Sequence, residues 1–264
     1  MNHLQTLTLG LAIASAVALV ARRLQSLSGS GAVAAAAIGA IAVVAGWSWG
    51  VVLIAYFVAA SVLSRFRASE KESRTGGRLE KGGARDAAQV LANGAIFALA
   101  AIGSATSPDP MWQALGAGAL AASAADTWAT EIGTLGRAAP RSILDWSPVA
   151  VGTSGGVTAI GFAGGVAGAA SIALVTWLVG WSRIATVAAL IGGVVGCVLD
   201  SAIGASLQAR RWCAACGMAT EQRLHGCGSP TTVTGGLRWL DNDGVNALST
   251  VAGALFGATG ARYF

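Results

Sequence analysis

The sequence predicts an all-α protein, a polytopic transmembrane helical bundle of about eight spans with both termini outside. The first observation is compositional: 54% of residues are hydrophobic and only 11% are charged, against about 25% in soluble proteins. So few charges cannot cover the surface of a soluble protein. The mean hydropathy of +0.64 likewise indicates an apolar chain. The second observation is that long apolar runs recur along the whole chain. Disordered tails and nucleic-acid partners are therefore excluded.

Eight apolar runs are candidates for crossing the membrane, which takes about 20 residues each. They are Leu4–Ala21, Gly31–Gly46, Trp49–Ser64, Gln89–Gly103, Trp112–Thr130, Val157–Gly180, Ile184–Leu207 and Asp243–Gly260. Tight hairpins are expected at Gly46–Trp47 and Gly180–Trp181, with Trp at the membrane interface. The first run is interpreted as an uncleaved helix, because its positive pair Arg22–Arg23 follows the apolar stretch instead of preceding it.

The positive charges predict the orientation of the bundle. Threading eight spans places 15 of the 17 Lys and Arg residues on one side and 2 on the other. By the positive-inside rule the rich side is cytoplasmic, so an inner (cytoplasmic) membrane protein with a cytoplasmic active face is expected. Three motif-bearing loops, 65–88, 131–156 and 208–240, lie on that side of a single domain spanning 1–264.

Acidic residues at the ends of apolar helices predict a magnesium site. Asp126 and Glu131 lie near the end of the fifth span, Asp200 near the end of the seventh, and Asp243 and Asn246 at the start of the eighth. Charges in such positions are costly and mark function by default. Hard oxygen ligands of this kind suit Mg²⁺ that bridges carboxylates to phosphates. The alternative is that each acid is simply solvated at the headgroup level.

The spacing of the first two acids sets a structural condition. Asp126 and Glu131 are five residues apart, which places them about 140° apart around a continuous helix. The helix is therefore expected to unwind near Gly133, so that both reach one ion. Asp126 and Asp200 are each followed by a hydroxyl residue, which suggests an internal duplication pairing the fifth and seventh spans.

Two stretches are candidates for binding phosphate groups. Small residues before the sixth span can converge backbone N–H groups on an anion; they are Gly152, Thr153, Ser154, Gly155 and Gly156. A flexible turn is the alternative for this stretch. Before the fourth span, Arg85, Gln89 and Asn93 form a polar stripe at helical spacing, which is expected to face the bundle or a cavity. Arg78 and Lys81 could join Arg85 in neutralising phosphates, or serve only topology and lipid attraction.

Three of the four cysteines fall in the last cytoplasmic loop. Cys213 and Cys216 form a CxxC pair, and His225 and Cys227 follow as HxC. This set could hold tetrahedral Zn²⁺, with free thiols as the alternative, and disulfides are not expected in a cytosolic loop. The spacing is not that of a standard zinc finger. Cys197, inside the seventh span, is assigned to packing.

Together these motifs resemble an integral-membrane family that includes the phytyl-phosphate kinases. The matching stretches are Phe57–Lys71, Lys81–Gly94, Ala125–Gly133, Pro140–Arg141, Gly152–Thr158, Asp200–Ser201, His225–Gly228 and Leu240–Asn246. The segment 126–156 is also distantly similar to membrane enzymes that use CTP. It lacks their basic-Thr-Glu-Gly pattern, having Val151, Gly152 and Thr153 instead, so the nucleotide stays open between CTP and another.

The resemblance implies a Mg²⁺-dependent kinase that transfers phosphoryl from a nucleoside triphosphate, with CTP as first candidate, to an isoprenoid (phytyl-like) monophosphate. Asp126, Asp200, Lys81 and Arg85 would be its catalytic residues. The expected partners are an isoprenoid phosphate lipid, the nucleotide and membrane lipid, and a homodimer is left open. A secondary transporter is one rival, although its polar residues would lie at the membrane midplane. A cytidylyltransferase-type lipid enzyme is the other.

Overall fold

A computed structural model describes residues 3–76 and 83–263, which are mostly helical. Within these residues the helices are α1 (His3–Arg23), α2 (Gly29–Ala45), α3 (Trp47–Arg65), α4 (Ala68–Thr75), α5 (Ala87–Thr106), α6 (Pro110–Leu135), α7 (Ala159–Leu178), α8 (Arg183–Ser206) and α9 (Asn242–Gly260). Except for the short α4, each helix coincides with one predicted span. The apolar runs therefore located the long helices, although several helices extend beyond the predicted ends.

The long helices differ in how well they suit a membrane. By length and composition, α1, α3, α5, α7 and α8 could cross it, and α2 is apolar but has only 17 residues. The other two, α6 and α9, have 26 and 19 residues but include acids, amides and hydroxyls. Five candidate spans are thus present in the described part of the chain. The two polar helices are those that carry most of the predicted acids.

The prediction of an all-α fold needs a correction in the long connections. Five short strands lie there: β1 (Arg141–Ser142), β2 (Gly156–Val157), β3 (Arg210–Cys213), β4 (Met218–Thr220) and β5 (Thr232–Gly235). The first two pair with each other, and the others form an antiparallel sheet in the order β4-β3-β5. Backbone groups outside helices still need hydrogen-bond partners, which accounts for these small sheets.

The centre of the bundle is a contact of three glycines on α6, α8 and α9. A Cβ added to Gly192 would stand 2.2 Å from the Gly253 carbonyl oxygen and 2.8 Å from the Gly118 Cα. A Cβ on Gly118 would stand 2.4 Å from the same carbonyl oxygen. Only glycine allows three helix backbones to approach this closely. The helices that carry the predicted acids are therefore the most tightly packed.

A second glycine contact corrects the expectation that the fifth span unwinds. The helix α6 continues through Gly133 to Leu135. A Cβ on Gly133 would stand 3.2 Å from the Cα of Gly161, near the start of α7. Gly133 thus serves close helix packing and does not break the helix. Asp126 and Glu131 consequently point in different directions from one continuous helix.

The connections at the two ends of the bundle differ. At one end, called the loop end, α1, α3, α6 and α8 finish, and this end carries α4 and both sheets. At the other end the turns are short, and one begins at Gly46 with φ of +144°. Trp181 was expected at the membrane interface, but it is buried at this end with its ring centroid 4.6 Å from that of Trp49. Burying it against another aromatic ring overrides the interfacial preference of Trp.

Candidate functional site

Two carboxyl groups meet between α6 and α8 near the loop end. Asp126 and Asp200 lie within hydrogen-bonding range of each other. The Oδ2 atom of Asp200 is buried and finds no hydrogen-bond partner among the residues the structure describes. Two ionised carboxylates at such a distance repel each other, so they need a shared proton or a cation between them. Their hard oxygen atoms are suitable ligands for Mg²⁺.

The start of α9 forms a third side of this acid pair. Ser249 lies beside Asp200, and Asn246 is buried one turn earlier on the same helix. Asp243 lies a further three residues back, so helical spacing places it on the side of α9 that carries Asn246. Asp241 precedes the helix as its N-cap and accepts a hydrogen bond from the backbone N–H of Gly244 at 3.1 Å.

The remaining predicted metal ligand, Glu131, is engaged by a lysine. Lys71 of α4 is buried and forms an ion pair with the Glu131 carboxylate. The same ammonium group donates to the carbonyl oxygens of Leu63 and Ser64, at 2.8 and 2.9 Å. It thereby binds the last turn of α3 to α6. Glu131 still adds negative charge near Asp126, although its direct partner is Lys71.

A tyrosine that the sequence did not single out connects the acid pair to α3. The hydroxyl of Tyr56 lies within hydrogen-bonding range of Ser123 and Thr127 on α6. It is also close enough to Asp126 and Arg85 to interact with both charges. A phenol in this position can donate a hydrogen bond to a bound anion. Neighbours from separate helices such as these give no local sequence signal.

Arg85 lies two residues before α5, and its side chain extends towards α3. Its guanidinium donates to the Ser64 hydroxyl at 3.1 Å and to the Ser61 hydroxyl at 3.3 Å. Among the described residues it forms no ion pair with a carboxylate. A partly buried guanidinium that is held by neutral groups keeps its charge available for an anion.

An apolar groove leads away from Arg85 between α1, α2, α3 and α5. Counting its open mouth, the groove has a volume of about 870 Å³. Its polar lining is Tyr56, Arg85, Gln89 and Asn93, and aliphatic and aromatic side chains form the rest. The polar stripe of α5 thus faces a cavity, which spares these groups contact with lipid.

Two members of the stripe also shape α5 itself. Gln89 forms a capping box with Asp86, in which each side chain accepts a hydrogen bond from the other's backbone N–H. Asn93 donates to the carbonyl oxygen of Gln89 at 2.9 Å. The carbonyl oxygen of Asn93 in turn accepts from the Ser123 hydroxyl at 3.0 Å. These bonds fix the polar end of the groove against the helix that carries Asp126.

The glycine-rich stretch packs on the end of α8, close to Asp200. A Cβ on Gly155 would stand 2.6 Å from the carbonyl oxygen of Ser201, and φ is +74°. Within the stretch, Thr153 N–H donates to the Ala150 carbonyl and Gly156 N–H to the Thr153 carbonyl. The Ser154 hydroxyl donates to Glu221. The stretch therefore lies beside the acid pair as a folded turn, and α7 begins only after it, capped by Thr158.

The cysteine loop forms a separate cluster near the surface. The ligand atoms of Cys213, Cys216, His225 and Cys227 all lie within 4.8 Å of one another. Hydrogen bonds, first from Ser229 and then from His225, lower the pKa of Cys227 to about 5. The hydrogen bond to Cys227 is the main reason why the pKa of Cys216 is raised to about 11. Cys227 is thus the more acidic of these two thiols.

The structure brings together only some of the predicted residues. Asp126 and Asp200 meet each other, and Tyr56 links them to the groove that Arg85, Gln89 and Asn93 line. The four zinc candidates lie apart in the 208–240 loop. Arg78 and Lys81 lie outside the described residues. The residues that sequence reasoning missed are Tyr56, Lys71, Ser123, Thr127, Glu221 and Ser249. Cys197, which was assigned to packing, is buried in a cluster with Ala125 and Ala169 and lies near both Asp126 and Asp200.

Comparison with known proteins assigns the family. Residues 12–254 match the family described as integral membrane protein DUF92. The chain belongs to this family. The match confirms the resemblance seen in the motifs. No solved structure matches the chain.

Relatives from distant organisms share most of the chain. Protein PGR of Arabidopsis thaliana is 28% identical over 90% of this chain and 90% of its own length. An uncharacterized membrane protein of Methanocaldococcus jannaschii is 26% identical over 97% of this chain and 95% of its own. An uncharacterized membrane protein of Synechocystis is 28% identical over 79% of this chain and 72% of its own length. The second and third of these relatives are described as membrane proteins.

Proposed function

We propose that this DUF92 protein is a membrane kinase that transfers a phosphoryl group from a nucleoside triphosphate, with CTP as first candidate, to an isoprenoid (phytyl-like) monophosphate. The observation that carries the proposal is the position of Tyr56. This side chain lines the apolar groove and also lies beside Asp126. A lipid tail in the groove would therefore bring its phosphate to the acid pair and Arg85. Such a layout suits a substrate with a long apolar tail and an anionic head.

The protein groups divide the work of binding between the two substrates. Arg85, with Gln89 and Asn93 behind it, would bind the phosphate of the lipid at the mouth of the groove. The turn at 152–156 would lie along the nucleotide phosphates, because it packs on α8 next to Asp200. Lys81 and Arg78 are proposed to add positive charge there. Phosphoryl transfer requires mainly positioning and charge neutralisation, which these groups supply.

The acid pair fits a divalent cation. The buried Oδ2 of Asp200 and the neighbouring Asp126 carboxylate offer hard anionic oxygens at one point. Asp126 and Asp200 would hold Mg²⁺, with Asn246 and Asp243 nearby on α9 and Glu131 contributing charge. Bound there, the ion would neutralise the charge of the nucleotide phosphates.

The reaction itself needs little help with protons. An oxygen of the prenyl phosphate attacks the γ-phosphorus, a new P–O bond forms, and the bond to the β-phosphate oxygen breaks. The products are prenyl diphosphate and the nucleoside diphosphate. Because the attacking group is already an anion, the site needs no strong general base. Arg85 and the Tyr56 hydroxyl would instead orient that anion.

We also propose that eight helices cross an inner (cytoplasmic) membrane, with both termini outside and the loop end in the cytoplasm. Besides the five spans suited by composition, α2, α6 and α9 would cross as well. Buried hydroxyls of α6 and α9 are satisfied inside the bundle, because Ser123 donates to the Asn93 carbonyl and Thr250 to the Ala92 carbonyl, both on α5. The Lys and Arg bias supports this orientation. The soluble nucleotide would then reach the site from the cytoplasm.

The test is a reconstituted assay that identifies both products. The purified protein is mixed with Mg²⁺, phytyl phosphate and one labelled nucleotide, either CTP, ATP, GTP or UTP. Phytyl diphosphate together with the nucleoside diphosphate is the expected result. Release of pyrophosphate with a nucleotide-linked lipid would show a cytidylyltransferase-type reaction instead. Absence of turnover with every nucleotide, by protein that remains folded, would overturn the proposal.

A further inference from the structure

The loop between α8 and α9 folds around four side chains that are good ligands for a transition metal. Cys213 and Cys216 stand at the turn that joins β3 and β4, and His225 and Cys227 stand at the next turn. We propose that these four residues bind a structural Zn²⁺ ion. This inference is independent of the proposed transfer reaction.

Two distances between ligand atoms are close to those of a tetrahedral site, and all four ligand atoms lie within 4.8 Å of one another. Zn–S bonds of about 2.3 Å and Zn–N bonds of about 2.0 Å place neighbouring ligands of a tetrahedron roughly 3.5 to 3.8 Å apart. The Sγ atoms of Cys213 and Cys227 are 3.7 Å apart. The Nδ1 atom of His225 lies 3.2 Å from the Cys227 Sγ, so a small rotation of the ring would complete the geometry.

The two turns that present the ligands are built alike. Gly217 follows Cys216 with φ of +62°, and its N–H donates to the Cys213 carbonyl at 2.9 Å. Gly228 follows Cys227 with φ of +83°, and its N–H donates to the His225 carbonyl at 2.8 Å. A Cβ on either glycine would meet nothing within 4 Å, so there is room for a side chain. Glycine is favoured at both positions because their positive φ is unfavourable for other residues. Each turn thus offers two ligands to one point.

The sheet has too little core to hold this arrangement by itself. Its three strands have four, three and four residues. Within them only Cys213 and Thr220 are buried, and Cys213 is itself a ligand candidate. Units this small usually need a metal or a disulfide to fold. A zinc ion bound by both turns would supply that link, which is the usual role of a closed four-ligand site.

The proposed zinc site also supports two contacts near the acid pair. Glu221, which follows β4, accepts a hydrogen bond from Ser154 in the glycine-rich stretch. Arg223 forms an ion pair at 3.4 Å with Asp241, the N-cap of α9. Both residues lie between the two turns that present the four candidate ligands. Removing the metal should therefore loosen the stretch beside Asp200 as well as the loop.

The experiment measures metal in the full-length protein. The chain is purified in detergent under reducing conditions, and elemental analysis is expected to give about one Zn²⁺ per chain. Cys213→Ser and Cys227→Ser should each lower this to below about one fifth. Cys197→Ser is the matched control, because Cys197 is buried in α8 and should leave the zinc content unchanged.

A second measurement avoids variants that fail to fold. After mild chelation, titration of the wild-type protein with Co²⁺ should give the absorption bands of a tetrahedral cobalt site with thiolate ligands. Wild-type protein that carries no zinc and gives no such bands would overturn the proposal. So would a Cys213–Cys227 disulfide in protein isolated from cells with its thiols blocked.

Discussion

Gly192 lies directly against Gly118, and this contact sets the depth of the acid pair. A Cβ on Gly192 would stand 2.8 Å from the Gly118 Cα. Asp126 follows Gly118 by eight residues, and Asp200 follows Gly192 by eight. Because α6 and α8 both run towards the loop end, equal spacing of about 12 Å brings both carboxylates to one level. The glycines are thus part of the reason why the two acids meet.

Gly192→Ala should therefore destabilise the bundle and lower any transfer activity. The added methyl group would have to displace the Gly253 carbonyl, and such overpacking typically costs about 1 to 3 kcal/mol. Gly50→Ala is the control, because its Cβ would meet only a methyl group of Val43, at 3.2 Å. Thermal unfolding in detergent should show a clearly lower Tm for the first variant and little change for the second. Equal melting temperatures would contradict the packing argument.

Asp126→Asn and Asp200→Asn should each abolish most of the phosphoryl transfer. An amide is a poorer ligand for Mg²⁺, and losing one charged ligand should cost about 10²-fold or more in rate. In the absence of Mg²⁺ both variants should be at least as stable as the wild type, because the repulsion between the two carboxylates is removed. The increase in Tm on adding Mg²⁺ should disappear.

Glu70→Gln is the control for this pair, because Glu70 forms a surface ion pair with Arg67 outside the site. It should retain both the activity and the response to Mg²⁺. If Asp126→Asn folds and transfers phosphoryl normally, Asp126 is not a metal ligand. The proposal would then depend on Arg85 and the glycine-rich stretch.

Arg85→Gln should weaken binding of the lipid phosphate more than binding of the nucleotide. Loss of a charge-assisted contact should raise the KM for prenyl phosphate by about 10-fold or more. Arg85→Lys retains the charge but loses the fork that contacts Ser61 and Ser64, so an intermediate effect is expected. Steady-state kinetics with each substrate varied in turn would show this. A rise confined to the KM of the nucleotide would mean that Arg85 binds the nucleotide and not the lipid phosphate.

The helices could be predicted from the sequence because hydropathy depends on local composition alone. Asp126 and Asp200 could also be singled out as site candidates, since a charge in an apolar helix is rare. Tertiary partners were not visible: Tyr56 and Ser249 join the site from other helices. Gly133 shows the limit most clearly, because a glycine near a helix end predicts a break, while its packing on Gly161 keeps the helix intact.

Membrane orientation can be tested with single cysteines and a thiol reagent that does not cross membranes. Ser107→Cys, exposed at the end opposite the loops, should be labelled in intact cells. Ser69→Cys and Ala138→Cys, at the loop end, should be labelled only after the cells are opened. Labelling of Ala138→Cys in intact cells would contradict the proposed orientation.

The groove can be tested by filling it. Val17 lines the groove from α1, so Val17→Trp should obstruct the space for the lipid tail. The KM for a long prenyl phosphate should rise by about 10-fold, which corresponds to roughly two lost methylene contacts. The KM for a short-chain analogue should rise less. The KM for the nucleotide should stay unchanged. Leu19→Trp is the matched control, because Leu19 is exposed on the same helix and does not line the groove. If both variants change the kinetics equally, or if chain length makes no difference, the lipid tail binds elsewhere.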